Sequence, residues 1–437
     1  MTRIFFTTVM MFGIASIARA QSDSAMVGQP LSIDSCQAMA RANYPLIRQL
    51  GLVERTRDYN LANASRAWLP QLQLSAKATY QSDVTQIPLD FSQLSAVLGG
   101  NVPTIPELAR DQYNISLELS QTLWDGGSIR ARRASIGAQS EASLRELEAN
   151  LYAVGERVNQ LFFGALLLDE MLTQNTLYAD QLQLSYARVE ACVSNGIAMP
   201  ADLDAVRVEQ LKAQQQRAQL THRRAAYIAM LAALTGTQFG DSLTLAHPAA
   251  LPPPSTAINR PELATFDAQL GSLNAAQGEL HASLMPRVGL FITGGFGKPG
   301  LNMLDDKFAA YYIGGIRLTW NIGVFYTRKN TLATLEANRS SVAVQRETFL
   351  LNTQISRTSN ERELDKYRDL LQSDDEIIAL HTGVRQAAEV RLTNGTLTAA
   401  DLLRELNAEQ MARQEKIVHE VEMLQAAYNL KHLTNSE

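Results

Sequence analysis

The chain has 437 residues, a formal net charge of -5 and 46% hydrophobic residues, with two cysteines and six histidines. An acidic balance with no basic run gives no reason to expect nucleic acid as a partner. Cys36 and Cys192 are too few for a disulfide-built scaffold, and the histidines form no His-x-x-x-His pair or similar cluster, so neither a metal site nor another cofactor is indicated.

Residues 1–20 read as a secretory signal peptide. Arg3 supplies the positive start, Ile4 to Ile17 a short apolar run, and Ala18-Arg19-Ala20 the small-x-small pattern of a cleavage site. The run is too short for a membrane anchor, so the mature chain is expected to begin near Gln21 with a formal charge of -7. No cysteine follows the cleavage site directly, and Cys36 lies too far in for lipid modification. No later apolar stretch reaches about eighteen residues, which excludes ordinary transmembrane helices and leaves a chain that is soluble after export or a barrel.

The mature chain repeats itself. Pro45 corresponds to Pro261 and Leu69-Pro70-Gln71-Leu72 to Met285-Pro286-Arg287-Val288, both at an offset of 216, whereas Asn195-Gly196 corresponds to Asn394-Gly395 and Asp202-Leu203 to Asp401-Leu402 at an offset of 199. The first repeat therefore carries 17 extra residues between these landmarks. Leu72, Leu74, Ala76, Ala78 and Tyr80 alternate with polar residues and predict a strand corresponding to Val288, Leu290, Ile292, Gly294 and Phe296. Tyr113, Ile115, Leu117 and Leu119 predict a second strand, corresponding to Tyr312, Gly314, Ile316 and Leu318. The extra residues then fall in the hairpin loop near 82–111, where Pro88, Pro103, Pro106 and Gly99-Gly100 cluster. Edge strands of a soluble sheet are the alternative, but alternation in all four segments suits a barrel wall. Tyr80, Tyr113, Phe296 and Tyr312 beside the loops, and Trp124, Trp320, Phe325 and Tyr326 at the other edge, have the placement of two membrane-interface aromatic girdles.

Each hairpin is followed by a long proline-free stretch. From Leu144 the apolar positions advance by three and four alternately, through Leu147, Leu151, Val154, Val158, Leu161, Ala165, Leu168 and Leu172, then Ala179, Leu182, Tyr186, Val189 and Val193; Asn175 alone interrupts. A seam of seven heptads requires a supercoiled neighbour, and residues 128–195 would make a rod of roughly 100 Å. The matching helix, from about Thr327 to Thr393, is polar between Thr353 and Asn360, as a helix lining water or a solvated outer surface would be. Each rod turns at Asn-Gly, and a second helix returns from Pro200 or Thr398. The organisation is thus a signal (1–20), a first repeat (21–240), a proline-rich connector (241–258) and a second repeat (259–437). Helical rise places Cys36 and Cys192 roughly 50 Å apart, which excludes a disulfide within one protomer.

That order, with Leu-Pro before the first strand, Gln-Thr-Leu-Trp-Asp-Gly-Gly at 121–127 after the second, and Asn-Gly-x5-Asp-Leu at each tip, resembles the TolC family of outer-membrane efflux proteins over nearly the whole mature chain. The resemblance implies a mostly α fold with a β-barrel portion: a homotrimer in which each protomer gives four strands to a twelve-stranded outer-membrane barrel and its coiled-coil-like helices to a periplasmic α-barrel. It also implies docking of the tip turns, Asn195-Gly196 and Asn394-Gly395, onto a periplasmic adaptor (membrane fusion) protein and an inner-membrane transporter. Asp202 and Asp401 match the acidic position just beyond each turn, where family members narrow the tunnel, so copies of Asp401 would form an acidic ring. Thr398-Ala-Ala-Asp401 is equally a helix-start pattern. Arg404 stands where some members carry a second acid and Leu397 where a basic residue can occur, a departure from the family's tip network.

The expected function is a passive exit duct of a tripartite efflux or type I secretion system. No nucleophile-base motif, phosphate loop or metal spacing suggests an enzyme. A periplasmic coiled-coil scaffold would share the rods without needing girdled strands, and a general small-solute porin would conduct without an adaptor.

Overall fold

The computed structural model describes residues 30–84, 109–240, 243–248, 257–303 and 305–435. The expected signal, most of the first hairpin loop and part of the connector lie outside the described residues.

In chain order the elements are α1 (Ile33–Asn43), α2 (Ile47–Arg66), β1 (Gln71–Tyr80), β2 (Asp111–Trp124), α3 (Ser128–Ser194), α4 (Pro200–Thr235), α5 (Pro261–Ser283), β3 (Arg287–Lys298), β4 (Ala309–Thr319), α6 (Val324–Thr393) and α7 (Ala399–Thr434). From α2 onward each half therefore runs helix, two strands, long helix, return helix. The α3 helix has 67 residues and α6 has 70, each unbroken by proline. At 1.5 Å per residue both are roughly 100 Å long, several times the width of a small domain. The second rod starts at Val324, one turn earlier than its sequence pattern suggests, because Asn321-Ile322-Gly323 turns directly off β4.

The return helices pack along the lower halves of the rods, α4 on α3 and α7 on α6, while α2 and α5 cover the upper part of α3 and α5 also touches α6. Two apolar cores hold this bundle. The upper one joins Phe162, Phe163 and Val158 of α3 to Cys36 of α1, Leu231 of α4 and Val421 of α7. Connector residues are sewn into it: the Leu31 amide donates to the Thr244 carbonyl (2.9 Å), the Ala246 amide to the Leu31 carbonyl (2.9 Å), and Leu243 and Leu245 pack on the core. The lower core, near the rod ends, joins Leu182 and Val189 to Val206, Leu392, Leu402 and Leu406. The α3 seam is buried or half-buried along its length, as a heptad repeat requires, and Asn175 sits inside it at 2% exposure. Both cysteines are buried and free. Burial among apolar side chains pushes the Cys36 thiol up to about 12, which makes it inert as a nucleophile.

The four strands form one antiparallel sheet in the order β1-β2-β3-β4. Its outer edges, on β1 and β4, have no strand partner among the described residues. Among the described residues no helix packs on either face of this sheet, and its two open edges are templates for pairing with another chain.

Candidate functional site

The cross-strand register sorts the sheet into two chemically different faces. Leu72 pairs with Leu119, Leu74 with Leu117 and Ala76 with Ile115. Leu119 continues to Ile292, Ile115 to Phe296, Val288 to Leu318 and Leu290 to Ile316. Because side chains alternate with period two, these residues all stand on one face, and it is apolar from edge to edge. It is also bare: Leu74 is 70% exposed and Ile316 is 71% exposed. The opposite face is polar and internally bonded. Ser75 and Ser116 share a hydrogen bond (2.9 Å), Asn114 donates to the Tyr311 hydroxyl (2.6 Å), and Arg317 donates to Glu118 (3.1 Å) while lying over the Phe291 ring (4.5 Å). Gly295 leaves the space that Tyr311 fills, since a Cβ there would fall 2.5 Å from the phenol ring. One apolar and one polar face on a twisted antiparallel sheet is the wall of a water-filled membrane barrel.

Of the eight aromatic residues singled out from the sequence, six lie at the two ends of this sheet, and Phe325 and Tyr326 fall in the first turn of α6 just beyond it. Tyr80, Tyr113, Phe296 and Tyr312 stand on the apolar face toward the hairpin loops, where Phe308 stacks between Tyr113 and Phe296. Trp124 and Trp320 mark the other end. A bulge between Thr122 and Trp124 pairs Trp124 with Val288, which moves its indole to the apolar face. Trp320 donates its indole N–H to the Leu284 carbonyl (3.0 Å).

At the far end of the rods the two tip turns are built alike. Asn195 and Asn394 cap their helices, and Gly196 and Gly395 follow with φ of 72° and 70°, a left-handed conformation that glycine adopts without steric cost. Amides beyond each turn close back on the helix, from Ile197 to the Cys192 carbonyl (2.8 Å) and from Thr396 to the Arg391 carbonyl (2.9 Å). The turns lie side by side, because a Cβ on Gly395 would come within 3.2 Å of Ile197 Cγ2. Asp202 accepts from the Met199 amide (2.8 Å). Asp401 accepts from the Thr398 hydroxyl (2.7 Å), and that hydroxyl oxygen accepts in turn from the Asp401 amide (3.2 Å). Both acids are thus helix-start residues in the first turn of a return helix. The Thr398 hydroxyl, opposed by slight desolvation and helped by Arg404, holds the Asp401 carboxyl below its ordinary range. Arg404 lies 3.5 Å from Asp401 and 3.4 Å from Glu405, so it answers the acids of its own helix.

Two polar clusters escape the sequence reading, because each depends on how separate helices fall into register. Near the tip, Glu409 of α7 accepts from Arg385 (2.5 Å) and Thr382 (3.0 Å) of α6 and from Arg413 (2.6 Å). Arg385 also pairs with Glu389, which reaches Arg188 of α3 at 2.6 Å. This network ties three helices together. Higher up, His432 stacks on Tyr152 with ring centroids 4.3 Å apart, and the Tyr152 hydroxyl donates to the His432 carbonyl (2.6 Å). Burial, reinforced by Arg260, pushes the imidazole down to about 4. The folded state therefore binds this proton less well than the unfolded chain, whose imidazole titrates near 6.5. Stability from this site is complete above 6.5 and drains away as pH falls toward 4. His432→Phe is expected to flatten that part of the stability profile, measured by thermal unfolding between those limits.

A sheet with one apolar face, carried on paired rods about 100 Å long, has the architecture of an outer-membrane channel subunit. Residues 38–237 match the outer membrane efflux protein family. No curated protein matches the chain by sequence. Among solved structures, the outer membrane protein VceC from Vibrio cholerae superposes with a TM-score of 0.67 at 13% identity, over 92% of this chain and 96% of that one. The Campylobacter jejuni CmeC outer membrane channel gives 0.64 at 14% identity, over 92% and 85%. The open state of the Neisseria gonorrhoeae MtrE outer membrane channel gives 0.63 at 16%, over 92% and 89%. At such identities the structures establish the fold, which is that of an outer-membrane channel, and the family match covers residues 38–237 within it.

Proposed function

We propose that three copies of this chain close into one twelve-stranded barrel and a periplasmic helical tunnel, the passive exit duct of a tripartite efflux or type I secretion system. The observation that carries this reading is the sheet, apolar on one full face and open at both edges. In lipid each unpaired backbone group costs several kcal/mol, so the β1 edge of one copy must pair with the β4 edge of the next. The helices favour the same head-to-tail ring. Beside the β1 edge, α2 has no buried residue, and beyond the β4 edge α6 carries exposed Val344, Leu351 and Ile355. The polar stretch Thr353–Asn360 of α6 would then face either the tunnel or the periplasm, with the Thr353 and Thr358 hydroxyls and the Asn360 amide bonding within the helix.

The paired turns at Asn195-Gly196 and Asn394-Gly395 present the end of the rods to a periplasmic adaptor, with an inner-membrane transporter beyond it. Copies of Asp202 and Asp401 would ring the mouth there with carboxylates. A photo-reactive residue placed at Asn195 or Asn394 is expected to crosslink an adaptor in intact cells. Detergent extraction should yield a particle of three protomers. A monomer released by carbonate without detergent would refute the ring, and a trimer that crosslinks nothing at either turn would refute the docking. Residues 1–20 are proposed to be removed on export, so Edman sequencing of the membrane form is expected to begin at Gln21. The connector proposed for 241–258 would link the two repeats.

A further inference from the structure

Below the barrel wall, between the end of α2 and the start of α3, lies a groove of about 570 Å³. Trp68 and Trp124 flank it, Leu61 and Ile129 line it, and Arg130 and Arg133 stand in its wall. The two indoles are half-exposed, at 42% and 46%. Neither arginine makes a hydrogen bond or ion pair among the described residues. The acid in the groove, Asp125, is already engaged, accepting from the Gly127 amide (2.9 Å) and the Ile129 amide (2.6 Å).

Helix stability does not account for these arginines. Cations near a helix start oppose the macrodipole, which favours acids there, and α3 has no acid in its first turn. Arg130, Arg132 and Arg133 form a short basic cluster that the sequence reading passes over. The second repeat has a counterpart: Arg132 and Arg133 follow Trp124 by eight and nine residues, and Arg328 and Lys329 follow Trp320 by the same spacing. A cationic band thus sits one to two turns below each tryptophan of the barrel's periplasmic end. The bulge of β2 sets Trp124 on the apolar face, so the groove opens where that face meets the inner leaflet.

We propose that this groove is a binding site for an anionic phospholipid of the inner leaflet. The headgroup phosphate would lie between Arg130 and Arg133 and the first acyl carbons against Trp68 and Trp124. Guanidinium forks match phosphate oxygens, and indoles suit the boundary between apolar and wet. The proposal rests on the outer-membrane reading above.

The test uses the full oligomer, reconstituted in vesicles of equal phosphatidylglycerol and phosphatidylcholine and released for native mass spectrometry. Retained phosphatidylglycerol is expected to exceed phosphatidylcholine about fivefold, since cations at an anionic leaflet act nearly additively. Arg130→Gln with Arg133→Gln should bring the ratio close to one, and Arg130→Lys with Arg133→Lys should keep most of the preference. Millimolar inorganic phosphate should not displace the lipid. A wild-type ratio near one, a ratio unchanged by the glutamine pair, or displacement by free phosphate would each overturn the site. A chain that enters the vesicles without lipid preference defeats this proposal alone, whereas one that does not enter them defeats the membrane reading as well.

Discussion

Ile292→Lys is expected to abolish recovery of the oligomer from the outer membrane, whereas Thr293→Lys, one residue further on, is expected to be tolerated. Ile292 stands midway along β3 on the apolar face, between Leu119 and Gly314. A lysine at that depth on the lipid side costs roughly 2–4 kcal/mol, and a ring of protomers would carry the penalty in every copy. Thr293 points the other way, into the polar layer, and is paired across the strands with Glu118, which would welcome a cation. The comparison is made by heat-resistant oligomer on electrophoresis of outer-membrane fractions. Equal loss from both variants would mean that the two faces are not differently solvated, and the barrel assignment would go with it.

The second large effect is expected at the rod ends, where Glu409→Ala should lower the thermal midpoint of the helices more than any single surface charge removal. Arg385 is 9% exposed and would be left buried with Glu389 as its remaining acid, already shared with Arg188. Removing one partner from a buried pair typically costs about 3–5 kcal/mol, because the other charge loses its compensation. Replacing both ends, Arg385→Met with Glu409→Leu, should recover most of that loss. Protons act on the same pair. Burial works to raise the pKa of Glu409, but hydrogen bonds from Arg413, Arg385 and Thr382 outweigh it and hold the carboxyl below its ordinary 4.5. The stabilisation is therefore full above 4.5 and is lost as pH falls through the lower folded value. Circular dichroism melts of wild type and Glu409→Ala should converge in strong acid; a constant gap down to that range would rule out Glu409 as the titrating group.

The sequence carries much of this architecture because most of it is written in short-range patterns. Alternation along Leu72–Tyr80 and Tyr113–Leu119 names the strands and their lipid face, and heptads along Leu147–Val193 name a rod with a partner. Glycine after asparagine marks both tips. The contacts that escape prediction are those between elements whose relative register no local pattern encodes. Asn175 reads as a flaw in the seam, yet it is buried beside Gln174, which donates to Gln410 of α7 at 2.8 Å. His432 and Tyr152 are 280 residues apart and meet only once α7 has returned along α3. The bulge at Thr122–Trp124 is likewise silent, since a single inserted residue leaves the composition of a strand end unchanged. The acids at 202 and 401 show a different limit, for one spacing serves both a helix start and a narrowed mouth.

The unbroken rods set a rule for how such a molecule changes length. One residue added within α3 advances everything beyond it by 1.5 Å and swings it by about 100° about the helix axis, so the tip loses its angular phase with the sheet. Only steps near seven or eleven residues restore that phase, and the companion rod must take the same step. The length of the rods is therefore quantised and shared between the two halves. The 17-residue difference between them falls instead in a hairpin loop, where no such phase has to be kept.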